Sequence, residues 1–346
     1  MAAPPASGHR QGPRAAAGWM VLRDARPGHA CVLVTCESRW AGSSSRTAVI
    51  TVALAAAVSS VVPASAGAWA AAPSSDRTSQ ESSGPGGAGQ RAAADGDLAV
   101  IGLTTGQRLV EFRTGEPSRP WQLGKVSGLK KDTKLVGIDF RVQNTKLYGV
   151  GDKGGIYTLN TRNAKAAKVS QLTVALSGTF FGVDFNPAAN RLRVISDTGQ
   201  NLRHNIDDPA APRTTTVDTP LTNPTTPPST AKGVTGAAYT NNDLNADTAT
   251  SLFDIDTTND RVSLQSPANS GTLAPTGNLG VNAGPNAGFD IYFSHRTRTN
   301  HGFAALSVNG AYRFYDVNIL TGQAVGVGAF PKAHQVTDVA LPLNQS

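Results

Sequence analysis

Cysteine is nearly missing from this chain. Cys31 and Cys36 are the only two in 346 residues, and both precede the segment read below as a cleaved leader. The mature protein is therefore expected to have neither a disulfide nor a thiol nucleophile, and a lone C-x4-C pair lacks the second ligand pair of a zinc site. Glutamate is scarce as well: beyond residue 96 only Glu111 and Glu116 remain. Most glycosidases work with two carboxylates, one kept protonated as the acid. Asp could serve, but Glu116 precedes Pro117 in an expected loop, so that chemistry starts poorly supplied. There is no G-x-S-x-G elbow, Walker loop or dinucleotide fingerprint. His204, His295, His301 and His334 show no metal-binding spacing. Long apolar runs are also lacking, since the longest, 48–62, falls short of the roughly 20 residues a bilayer span needs.

Charge is thin, at 16% of residues, with a formal balance of +7. Six arginines against Asp24 and Glu37 in the first 70 residues account for more than half of that surplus. The remainder is too small to argue for a nucleic-acid partner.

Residues 48–62 (AVITVALAAAVSSVV) follow Arg39 and Arg46 and end at Pro63, after which come Ala64-Ser65-Ala66, Ala66-Gly67-Ala68 and Ala68-Trp69-Ala70. A basic region, a short apolar core and A-x-A exits predict a secretory signal peptide over 39–72, with cleavage between Ala66 and Ala72. The alternative is a membrane anchor, which the run is too short to make. Residues 1–38, rich in Arg, Ala, Pro and Gly, read as an over-long start or extended leader, with Met20 or Val34 as alternative starts. Residues 73–96 hold no Val, Ile, Leu or aromatic side chain and read as a disordered tether. The expected location is outside the cytoplasm, with membrane contact only through the leader before cleavage.

What is plentiful is punctuation: 36 glycines and 21 prolines suit many short strands with tight turns. Over 97–346 a small–apolar–Asp–apolar pattern recurs roughly every 50 residues, a spacing that signals repeats. The copies are Gly137-Ile138-Asp139-Phe140, Gly182-Val183-Asp184-Phe185, Gly288-Phe289-Asp290-Ile291 and Val336-Thr337-Asp338-Val339, with a degenerate Gly236-Ala237-Ala238-Tyr239. Each unit reads as four strands, the first being 135–141, 146–150, 155–160 and 167–172. The last is 287–293, 302–308, 311–318 and 323–330, with Asn309-Gly310 as a hairpin turn. Residues 97–128 supply three strands without a preceding Asp motif, and the C-terminus supplies that motif and stops. The fold class is thus all-β: a β-propeller of five four-stranded blades, one closed by N- and C-terminal strands. Six blades would leave only about 42 residues each, below every interval seen here.

The stretch 182–205 (GVDFNPAANRLRVISDTGQNLRHN) resembles the hallmark segment of bacterial secreted proteins grouped as the DUF4394 domain of unknown function. The matching positions are Gly182, Asp184, Phe185, Asn186, Pro187, Arg191, Arg193, Ser196, Gly199, Gln200, Asn201 and Arg203. Residues 137–148 and 238–241 look like further signatures, and the resemblance covers about 97–343. It implies secretion and a propeller-like fold, and no catalytic residue.

Two constellations stand out. Arg191 and Arg193 share one face of a strand, and Asn201, Arg203 and Asn205 one face of the next. A turn at 197–199 pairs the two polar sets, whereas a one-residue slip would mix them with Leu192, Val194, Leu202 and His204. The resulting patch suits carboxylate, sulfate or phosphate. Alternatively its arginines bridge to a neighbouring blade and hold the ring together. Asp139, Asp184, Asp290 and Asp338 lie on the innermost strands. Facing the channel they would form a carboxylate ring able to hold Ca²⁺; facing between blades they would accept backbone N–H groups. Asp243-Leu244-Asn245-Ala246-Asp247 with Asp254 partly mimics a calcium loop, but Thr248 replaces the required glycine. The Pro/Thr-rich insertion 208–229 reads equally as functional or disordered. The function expected is a non-catalytic secreted module binding a protein, glycan or anionic ligand. The alternative is a metal-assisted hydrolase or lactonase using the channel carboxylates.

Overall fold

The computed structural model describes residues 97–207, 214–245 and 247–345. The expected leader and tether lie outside them. The chain begins with β1 (Ala99–Thr104), β2 (Arg108–Arg113) and β3 (Trp121–Lys125). Blade 2 follows as β4 (Leu135–Arg141), β5 (Lys146–Gly151), β6 (Gly155–Leu159) and β7 (Ala166–Gln171). Blade 3 is β8 (Phe181–Asn186), β9 (Arg191–Ser196), β10 (Asn201–His204) and β11 (Thr215–Val217), trailed by a small hairpin of β12 (Thr222–Asn223) and β13 (Ser229–Thr230). Blade 4 is β14 (Val234–Tyr239), β15 (Leu252–Asp256), β16 (Arg261–Gln265) and β17 (Leu273–Asn278). Blade 5 is β18 (Ala287–Ser294), β19 (Thr299–Val308), β20 (Ala311–Val317) and β21 (Ala324–Ala329). Finally β22 (Val336–Ala340) pairs antiparallel with β1, completing blade 1 in the order β22-β1-β2-β3.

The strands lie where period and turn chemistry place them. Asn309 and Gly310 both take positive φ, 53° and 78°, as a two-residue hairpin turn of this type requires. Innermost strands such as β14 are buried along their whole length, whereas the outer β3 is half-buried to exposed. That gradient explains why inner strands are runs of small and apolar residues and outer ones carry Lys and Gln. The innermost strands pack on one another in a closed circuit, β4 on β8, β8 on β14, β14 on β18, β18 on β22 and β22 on β4.

The core is divided among the seams between blades. One cluster joins blades 5 and 1 around Phe112, Phe303, Phe314 and Phe330, whose rings meet edge-on or stacked at 5.0–6.2 Å. Others fill the seams between blades 1 and 2, 2 and 3, and 4 and 5. The cluster between blades 3 and 4 has the fewest members. There, buried Arg193, Asn201, Asp218, Asp254, Ser263 and Gln265 take the place of hydrocarbon. The described part of the Pro/Thr-rich insertion, 214–229, is part of this seam: it supplies β11, and its Leu221 is fully buried. Among the described residues no helix is long and apolar enough to cross a membrane.

Candidate functional site

The polar seam contains the arginine constellation. Strands β9 and β10 pair with Arg193 opposite Arg203 and Asn201 opposite Ile195. The intervening turn has Gly199 at φ 88°, a backbone that L-residues adopt at a cost. Arg193 is 2% exposed. It donates to Asn201 Oδ1 at 2.7 Å, Asp218 Oδ2 at 2.6 Å, the Tyr239 hydroxyl at 3.2 Å and Asn269 Oδ1 at 2.8 Å. Tyr239 and Asn269 belong to blade 4, so Arg193 bridges two blades. Arg203 grips the same Asp218 with two bonds, Nε to Oδ2 at 2.6 Å and Nη2 to Oδ1 at 2.9 Å, and these raise its pKa. Such a fork locks the guanidinium plane.

Arg191 is different. Its Nη1 donates only to the backbone oxygens of Ala189 and Asn190, both at 3.0 Å. Among the described residues it has no ion pair. A cavity of about 200 Å³ is lined by Arg191, Arg193, Arg203, Tyr239, Asn186 and Asn269, with Ala189, Pro267 and Ala268. Three guanidiniums thus share one hollow, and Asp218 is the carboxylate that pairs with two of them. Asp254, buried nearby, is held well above the usual carboxylate range by desolvation, although Arg193 pulls the other way. The hollow is therefore positive and stocked with fixed donors. Asn201 stands behind it, donating to the carbonyls of Thr219 and Ala268. Asn205 lies outside it, with Oδ1 accepting the Asp207 N–H at 3.2 Å.

The aspartates combine both orientations that the sequence left open. Asp139 accepts the N–H groups of Phe140 at 2.6 Å and of Phe185, in the next blade, at 2.8 Å. Asp290 likewise takes Ile291 and, across the seam to blade 1, Leu341, both at 2.6 Å. Asp184 takes the N–H of Tyr239. One oxygen from each of these three buried carboxylates lies within 4.8 Å of the others. Burial, then mutual repulsion, raises Asp139 and Asp184 well above the ordinary range, and burial lifts Asp290 to about 6.

Asp338 does not join that cluster, although its motif aligns with the others. In β4 the register shifts at Val136, three residues before Asp139, and in β14 at Thr235, three before Ala238. In β22 the shift falls at Thr337, one residue before Asp338. Asp338 thus stands two residues early in the blade frame, and Ala340 occupies the position of Asp139. Blades 1 and 4 present alanine there, and blades 2, 3 and 5 present aspartate. Asp338 instead accepts Ile138 N–H at 2.7 Å and Val339 N–H at 3.0 Å.

The calcium-like segment is a hairpin loop of successive Asx turns: Asn241 caps the Asp243 N–H, Asp243 that of Asn245, and Asn245 that of Asp247. Asp254 sits apart from it, in β15. A wider depression of about 530 Å³ over blade 2 is lined by Lys146, Arg162 and Lys165, all exposed and without the buried scaffold of the arginine pocket. His204 is held between Ser170 and Thr215. Sequence reasoning missed Asp218, which lies in the insertion, and Asn242, which lies in the loop after β14. It also missed Asn269, which a short 3₁₀ turn (Ala268–Ser270) presents to Arg193.

Similar solved structures include an auxiliary nutrient binding protein from Bacteroides ovatus ATCC 8483, at 11% identity and TM-score 0.37 over 58% of this chain and 55% of that one. A structural genomics protein of unknown function from Bacteroides thetaiotaomicron VPI-5482 gives 11% and 0.40 over 72% and 66%. A protein from Lactobacillus plantarum gives 17% and 0.34 over 67% of both chains. The chain spans about half the length of the first of these. No curated protein matches it. The sequence profile of one family, described as a domain of unknown function, matches residues 108–340. The chain belongs to the DUF4394 family.

Proposed function

We propose that this propeller is a non-catalytic binding module, exported from the cytoplasm, which holds the anionic group of a larger ligand in the arginine pocket. The observation that carries the reading is Arg191: a guanidinium without a carboxylate partner among the described residues, on the wall of a hollow it shares with two arginines fixed by Asp218. Planar guanidiniums match carboxylate, sulfate and phosphate oxygens in pairs. Donors already held in place lose little freedom on binding, which is what makes a preorganised site effective. A volume of about 200 Å³ admits one anionic group and not a drug-sized molecule, so the rest of a glycan or protein ligand would lie over the surface. Export rests on the signal-like segment 39–72 and on the resemblance of the family segment.

Calorimetric titration of the purified chain with sulfate, phosphate, acetate and a sulfated sugar, against uncharged sugars, tests the proposal. At least one anion should bind with an affinity that falls as salt is raised, and Arg191→Ala should weaken it by about tenfold, the scale of a charge-assisted hydrogen bond. Binding of uncharged sugars only, or anion binding indifferent to Arg191→Ala, contradicts it.

A further inference from the structure

Three carboxylates converge where β4, β8 and β18 meet, and each accepts backbone N–H groups, a pattern that favours the ionised form. Three negative charges this close repel one another strongly in a buried site. Among the described residues no Lys, Arg or His lines the cavity they share, which has a volume of about 20 Å³, room for one ion or one water.

A second feature, independent of the acids, lies on the wall of the same cavity. Asn242 is 5% exposed and lies just beyond β14, in the blade that presents Ala238 where blades 2, 3 and 5 present aspartate. Its Nδ2 donates to the Phe293 carbonyl at 3.2 Å, which fixes the amide and directs Oδ1 away from that carbonyl. Oδ1 is buried without a hydrogen-bond partner, and Asn242 lines the carboxylate cavity. An orphaned buried acceptor is costly, and among the described residues lining that cavity Asn241 Nδ2 is the one spare donor. That amide nitrogen, equally unpartnered, can serve a carboxylate or an ion-bound water.

We propose that Asp139, Asp184 and Asp290, with the amide oxygen of Asn242, bind a calcium ion between the innermost strands. The donors are all hard oxygens, as Ca²⁺ and Mg²⁺ require. They hang from four separate blades whose backbones are tied to one another, so they cannot close into the compact octahedron that Mg²⁺ demands, whereas Ca²⁺ accepts longer and irregular coordination completed by water. Two positive charges against three negative ones leave the site near neutrality. The ion would bind chiefly where blades 2, 3, 4 and 5 meet, and would draw them together.

The test uses the full chain, stripped with a chelator and titrated with CaCl₂ by calorimetry, with the melting temperature followed in parallel. One calcium per chain is expected, raising the melting temperature, while Mg²⁺ binds more weakly. Tyr239 and Tyr292 line the cavity, so Tb³⁺ should give tyrosine-sensitised emission that calcium displaces. Asp184→Asn should abolish binding. Because that variant disturbs an inter-blade contact, Asn242→Ala serves as the second probe: it should lower calcium affinity by about tenfold or more and leave the metal-free melting temperature little changed. The arginine pocket should bind its anions as before in Asn242→Ala, which separates this inference from the proposed function. Failure of millimolar calcium to shift the melting temperature overturns it. So does binding unchanged in Asn242→Ala, or a chain that acid stabilises and calcium does not.

Discussion

The carboxylate of Asp338 accepts the backbone N–H of Ile138 at 2.7 Å, across 200 residues of sequence. Asp338 belongs to β22, the last strand of the chain, and Ile138 to the first strand of blade 2. The chain's end is therefore tied on one side to β1 by sheet pairing and on the other to β4 by a side chain. Leu341, just beyond β22, gives its N–H to Asp290 of blade 5. Ring closure rests on these few residues.

A chain ending at Gln335 should therefore lose cooperative folding, not merely a tail. Val336, Val339 and Leu341 are at most 2% exposed, and burying such side chains contributes about 1.5–3 kcal/mol each. Their sum is comparable with the whole stability of a domain, about 5–15 kcal/mol. Circular dichroism melting and size-exclusion chromatography check this. A sharp transition at an unchanged temperature in a monomer would contradict the closure described.

Gly288→Ala should be costly for a reason local to the ring. A Cβ there would stand 2.3 Å from the Asp338 Cα and 2.7 Å from the Thr337 carbonyl oxygen, and backbone cannot give way as a side chain can. A loss of about 1–3 kcal/mol or more is expected, read from urea unfolding midpoints. Gly326→Ala is the control, since its Cβ would meet only the Tyr315 ring at 3.5 Å. Equal effects from the two would contradict the account of close strand approach.

Asp254→Asn should change how stability depends on pH. Both oxygens of Asp254 are buried without a partner, and burial raises its pKa well above the ordinary value. A folded-state pKa above the unfolded one means that the folded protein holds the proton more tightly. Its contribution is then fully present below the unfolded value, about 3.9, and is lost as pH rises through the folded value. The amide has no proton to lose. The variant should gain stability relative to the parent as pH rises above the unfolded value of about 3.9, measured by urea unfolding at each pH. Parallel profiles would contradict it.

The blades were legible in the sequence because alternation and turn residues repeat within each. The expected strand 135–141 is β4 itself, and the expected 146–150 differs from β5 by one residue. The pairing of Arg193 with Arg203 was legible for the same reason: a period of two allows only one register that keeps Leu192, Val194 and Leu202 together. Asp338 was not placed correctly, because a bulge at Thr337 moves it by two positions and a bulge leaves no mark in a pattern of four letters. Asp218 was hidden in an insertion with no period, although two arginines depend on it. Asn242 drew no notice in the sequence because nothing in its neighbours says that its loop folds over three carboxylates from other blades. Local order was readable; convergence across seams was not.

The central claim is that Arg191, Arg193 and Arg203 form a site for an anionic group. The most direct measurement is a crystal of the chain soaked in selenate, with an anomalous difference map phased on the propeller. The account predicts a selenium peak in the hollow between Arg191 and Arg203, within hydrogen-bond reach of both guanidiniums and absent in Arg191→Ala. Selenate bound elsewhere with this hollow vacant, or a peak unaffected by Arg191→Ala, would contradict it.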